Sequence, residues 1–137
     1  GGMPIQFKNL IQFYKQEYLA AGFPESEMQI AIHSHTLVSE DQKVIEGYFQ
    51  NYKDQMDRIG ATRGWSPYTK MQYEGGRAKD GALFIGNVSE VADKIAYMKE
   101  IFGITRFVGH MDVGAPENEV MMKSIELFGE KVAPLVR

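Results

Sequence analysis

Met28-Gln29-Ile30-Ala31-Ile32-His33-Ser34-His35-Thr36-Leu37-Val38 runs straight into Ser39-Glu40-Asp41 and then a stripe of Val44, Ile45, Tyr48, Phe49, Tyr52, Met56 and Ile59. The first part is rich in β-branched residues and long enough for one strand. The second repeats at three- and four-residue intervals, which predicts an amphipathic helix ending near Gly60. Together they make one strand-then-helix unit, and the pattern recurs twice downstream. Ala82-Leu83-Phe84-Ile85-Gly86 is a short apolar run of buried-strand type. Asn87 then caps a helix striped by Val88, Val91, Ala92, Ile95, Met98 and Phe102, with Glu90 completing a capping-box pair and Gly103 closing it. Arg106 to Gly114 is the third strand. Pro116 starts the last helix, striped by Val120, Met121, Ile125, Phe128 and Val132 and stopped by Pro134.

Upstream, Phe7, Leu10, Ile11, Tyr14 and Tyr18 predict a helix over 5–21, with Gly22 as its C-cap and Pro24 blocking continuation. Residues 60–81 hold five glycines among aromatic and basic side chains, and read as a long loop with one helical turn. The order is a helix and then three βα units, at about 28–59, 82–102 and 106–133, in a single domain over 1–137. Helices alternating with short apolar strands argue for parallel pairing and an α/β fold. Three strands make a thin sheet, and no strand precedes the first helix.

The composition of the 137 residues excludes several function classes. Fifteen Lys and Arg against eighteen Asp and Glu give a net charge of -3, with no broad footprint for nucleic acid. The absence of cysteine excludes disulfide scaffolds, Cys-based zinc sites, Fe–S clusters and thiol nucleophiles. No apolar run approaches the ~18 residues of a membrane span. The first residues lack the regions of a signal peptide, so a cytoplasmic protein is expected.

Gly81 to Ile95, which includes Gly86-Asn87-Val88-Ser89-Glu90-Val91, resembles the penultimate strand-to-helix unit of the bacterial-luciferase-like flavin monooxygenases. The tail is similar to the same family: Arg106-Phe107 through Met111-Asp112-Val113-Gly114, then Ser124-Ile125-Glu126-Leu127-Phe128-Gly129. Gly22-Phe23-Pro24, His33-Ser34-His35 and Arg63-Gly64-Trp65 also look like stretches of it. Val88 departs from the family, which often has proline there. The resemblance implies the C-terminal part of a (β/α)8 TIM barrel, namely a helix and strand units six to eight, where a whole barrel needs ~250 residues. It implies a parent enzyme that uses reduced FMN and O2 to oxidise a small organic substrate, with F420 replacing FMN in some relatives. A separate flavin reductase is an expected partner. Alone, the chain is expected to be inactive, and to form a homo-oligomer or pair with a missing N-terminal half, because a half-barrel exposes edges and an inner face.

Site candidates follow from both readings. Gly1-Gly2-Met3-Pro4 is similar to the family's loop after the fifth strand, which marks Gly1, Gly2 and Met3 for the flavin phosphate; unhindered N–H groups before a helix suit an anion. His33 and His35, two apart on a strand, share a face. In a barrel that face lines the C-terminal mouth, making them candidates for flavin or substrate contact, while Ile30 and Ile32 turn toward the helices. His110 and Asp112 share a face by the same spacing. With the other two histidines they form a possible metal set for a barrel hydrolase, since a barrel places strands six and eight two apart, where their side chains can converge. No resident metal is expected. Gly86-Asn87-Val88-Ser89 reads first as an ordinary capped helix start. The excursion around Trp65 reads as a structural loop, or one closing over the mouth. A stand-alone binding or assembly module without catalysis is the rival to the enzyme reading.

Overall fold

The computed structural model describes residues 2–137. A 3-10 turn at Pro4–Phe7 leads into α1 (Lys8–Ala20), and a second at Glu25–Glu27 leads to β1 (Ala31–Val38). Then follow α2 (Gln42–Ala61), α3 (Lys70–Arg77), β2 (Phe84–Gly86), α4 (Val88–Phe102) and β3 (Arg106–His110). The chain closes with α5 (Asn118–Leu127), a π-helical turn at Phe128–Val132 and α6 (Ala133–Val136). All three strands are parallel, which makes this an α/β fold. Among the described residues no helix is long and apolar enough to cross a membrane.

The strands do not stand in chain order. β1 is central, with β2 on one side and β3 on the other. The C-terminal residues of β1 pair with β2 (Thr36 with Phe84, Val38 with Gly86), and its N-terminal residues pair with β3 (Ala31 with Arg106, His35 with His110). The first and third strands are therefore neighbours, not two apart as the barrel count implies. β2 is only three residues long and meets only the C-terminal end of β1, while β3 takes the opposite edge.

Residue parity sorts the core. Ile30, Ile32 and Val38 join Phe84 and Phe107 against Val91, Ile95, Met98, Phe102 and Val132 on the side of α4 and the C-terminal helices. Full burial of such side chains stabilises by ~1.5–3 kcal/mol each. On the other side Leu37 and Ile85 pack with Ile45, Tyr48, Tyr52 and Tyr73 of α2 and α3. In a plain (β/α)8 barrel the helices all cover the outside of the sheet. Here α2 and α3 cover the same face that carries His33 and His35, at its C-terminal end.

Several local expectations have a clear physical outcome. Asn87 and Glu90 form a complete capping box at α4, and Gly103 ends it at φ 67°, a left-handed conformation glycine adopts without a Cβ clash. Residues 60–81 hold more than one turn: α3 spans eight residues, opened by a capping box of Thr69 and Gln72. Its glycines, Gly75 and Gly76, masked it in the sequence; Gly76 is needed because a Cβ there would meet Leu83 at 2.8 Å. The last helix also does not stop at Pro134. Proline lacks an N–H and crowds the carbonyl four residues back in an α-helix. The wider π turn just before it accommodates the ring, so the helix continues to Val136.

Candidate functional site

β1 and β3 bring three imidazoles together on one face. The His33 and His110 rings stack with centroids 5.1 Å apart, and His35 meets His110 edge-on at 5.5 Å. The parallel register sets this up, since His35 is opposite His110 and His33 opposite Val108. At the N-terminal end the face is open: Ala31, His33, Arg106 and Val108 are exposed. At the C-terminal end, where α2 arrives, His35 and His110 are half-buried.

α2 and the loop after β3 hold two of the rings. His35 Nδ1 lies 2.8 Å from the Tyr52 hydroxyl, and His110 Nε2 lies 2.6 Å from Asp112 Oδ1. The loop carrying Asp112 is itself gripped by α2. Tyr48 donates its hydroxyl hydrogen to the Val113 carbonyl, and the Asn51 amide reaches the carbonyls of Gly114 at 3.3 Å and Ala115 at 3.5 Å. Gly114 (φ 74°) lies so close to α2 that a Cβ would meet Asn51 backbone atoms at 2.8 Å. Ala115 takes φ 47°, a conformation that costs a non-glycine residue ~1–2 kcal/mol. Strain of this kind persists where surrounding contacts over-determine it, and here it sits beside the imidazoles.

The electrostatics follow from burial. His35 is pushed below its usual range by desolvation first, then by His110 and His33. The phenols of Tyr48 and Tyr52 are pushed up, again chiefly by burial, so both stay protonated donors at neutral pH. Tyr68, packed on Tyr52 with ring centroids at 5.3 Å, is pushed up to about 12 by burial.

The other sequence candidates fall elsewhere. Gly1 lies outside the described residues. Gly2 has the Gln6 side chain folded against it, and Met3 accepts from the Gln6 N–H at 3.0 Å. Among the described residues no hydrogen bond or ion pair joins Gly2 or Met3 to the histidines. The amide groups opening α4 are already occupied: Asn87 N–H donates to Glu90 at 2.8 Å, Val88 N–H to Glu40 at 3.1 Å, and Glu90 N–H to Asn87 at 2.9 Å. The hollow beside it, 570 Å³, is flanked by Glu40 and Asp93 and has no basic side chain, so it does not suit a phosphate. Among the described residues no group of three or more His, Asp or Glu side chains is placed to hold a metal ion. In the 60–81 stretch Arg63 lies over Trp65, Lys70 over Phe49, and Lys79 over Tyr97, and all three cations stay exposed.

Tyr48, Asn51 and Tyr52 are site residues that the sequence reading took for a core stripe or passed over. The available signal was chemical. Two tyrosines in a buried stripe beside Phe49 carry hydroxyls that must find partners.

No family profile and no curated protein sequence matches the chain. A solved structure does: monooxygenase RslO1 from Streptomyces bottropensis superimposes with a TM-score of 0.74 at 19% identity, over 94% of this chain and 37% of that protein. At that identity the likeness shows a shared fold. The chain spans little more than a third of the length of the monooxygenase it matches.

Proposed function

We propose that this chain is the C-terminal part of a luciferase-like flavin monooxygenase, in which α2 and α3, the crossover from β1 to β2, lie over the C-terminal end of the histidine face. The observation that supports this best is the match to a monooxygenase over 94% of the chain. The open part of the face lies at the N-terminal end of the strands, where Ala31 and Val108 are exposed beside stacked His33 and His110 and leave a part-apolar surface open to a ligand. His33 and His35 would touch the flavin or the substrate there, and Gly2 and Met3 would lie toward the phosphate. Reduced FMN, when bound, supplies the electrons that activate O2. The protein's part is binding, orientation and exclusion of water, for which the tyrosines on α2 and the gripped loop at Asp112 form a rigid end wall. A small organic substrate and a separate reductase complete the reading, with F420 as the alternative flavin.

Titration of the 15N-labelled chain with FMN tests it by NMR. Shifts centred on His33, His35, Val108 and His110 in fast exchange are expected, with a dissociation constant above the order of 100 μM, because one face cannot enclose the ligand as a whole pocket does. No shift at millimolar FMN, shifts centred on the α4 side, or stoichiometric micromolar binding would each overturn it. A second reading, an assembly module closed as a homodimer, draws on the exposed Ile5, Phe7, Leu10 and Phe13 of the first two helical elements. A stable dimer that ignores FMN favours that reading.

A further inference from the structure

We infer that Tyr52 is a positioning residue that fixes His35 as its Nε2–H tautomer, leaving the second ring nitrogen of His35 as a hydrogen-bond donor. The inference deepens the flavin reading by naming what His35 would recognise, a carbonyl oxygen of the ring or of the substrate, and in that respect rests on it.

The argument is one of satisfying hydrogen bonds. Tyr52 is buried, and among the described residues its hydroxyl has one partner, His35 Nδ1 at 2.8 Å. If Nδ1 carried the proton and the phenol accepted it, the phenol's own hydrogen would be buried without an acceptor, at a cost larger than a typical net hydrogen bond. If the phenol donates, both atoms are satisfied and Nδ1 is the bare nitrogen. Neutral imidazole then carries its hydrogen on Nε2. Burial and the neighbouring imidazoles keep His35 neutral, which is the state the argument requires. His110 is anchored through its other nitrogen, Nε2, which faces the Asp112 carboxylate. The groups facing His35 are therefore His33 on its own strand, His110 and Asp112 from β3 and its loop, and Tyr52 with Tyr48 behind it from α2.

Long-range 1H–15N correlation spectra of the ring-labelled histidines, recorded on the whole chain near neutral pH without ligand, read the tautomer directly. The expected result is a bare Nδ1 and protonated Nε2 for His35. Tyr52→Phe should move His35 toward a tautomer mixture and raise its titration midpoint by about half a pH unit to one unit, the equivalent of one lost neutral hydrogen bond. Tyr48→Phe, whose hydroxyl serves the Val113 carbonyl, should leave the His35 tautomer unchanged. An Nδ1–H tautomer in the unmodified chain overturns the inference without any variant, as does a Tyr52→Phe spectrum identical to it. Because no flavin enters the measurement, failure here is distinct from failure of the flavin titration.

Discussion

Ser124 of α5 is fully buried, and its hydroxyl oxygen accepts the Val38 backbone N–H at 2.7 Å. β3 ends at His110, level with His35, so the edge of β1 that β3 covers runs on past its partner. Val38 is 1% exposed, and in that position its N–H depends on Ser124. Ser124→Ala keeps the helix and leaves the N–H buried without an acceptor. The cost of such an orphaned donor is ~1–3 kcal/mol, and we take about 2. Unfolding entropy near 2.1 cal/mol/K per residue gives about 0.29 kcal/mol/K for this length, so the midpoint should fall by about 7 °C. Urea and thermal unfolding followed by circular dichroism measure both quantities. Ser89→Ala, at an exposed position in the first turn of α4, is the control and should stay within about 0.5 kcal/mol. A Ser124→Ala protein as stable as the control would refute the reasoning.

Three further outcomes follow from single positions. Lys94 is 3% exposed; its ammonium donates to the carbonyls of Gly76, Ala78 and Leu83, yet desolvation lowers it from 10.5 to about 8. Between those values the unfolded chain holds the proton and the folded chain releases it, so stability should rise by about 2 kcal/mol from pH 7.5 to 9.5. Urea midpoints at the two pH values check this, and the rise should be absent in Lys94→Met. Gly103→Ala, which forces a Cβ into the left-handed C-cap of α4, should cost about 1 kcal/mol by the same assay, whereas Gly47→Ala, exposed within α2 with open space around it, should gain about 0.5–1 kcal/mol.

What could be read from residues alone tracks how local each determinant is. The capping box at Asn87, the C-cap at Gly103 and the parity of Ile30, Ile32, His33 and His35 depend on neighbours within a few positions, and each is in place. Strand order is different. Which strands lie beside β1 is decided by pairings between segments far apart in the chain, and those do not follow from hydrophobic spacing. The same holds for the face covered by α2 and α3, because an amphipathic stripe says that a helix is covered without saying by what. The imidazole pairing was legible only in part: His-x-His places two rings on one face, but the third arrives through the β1–β3 register. Tyr52 and Tyr48 were counted as apolar mass, and their hydroxyls acquire meaning only when a partner is seen. Pro134 shows the converse, a strong local stop signal overridden by one widened helical turn.

The pairing of β1 with β3 joins Ala31 to Arg106 and His35 to His110 across 75 residues of intervening chain. Closing a loop of that length before any pairing energy is returned is entropically slow, and parallel strands have no short turn to guide them. The contacts from β1 through α2 and α3 to β2 span shorter separations and can be made first. The three imidazoles are therefore expected to meet late in folding. In a refolding experiment the appearance of their mutual contacts would time the completion of the native sheet, well after helical signal has returned.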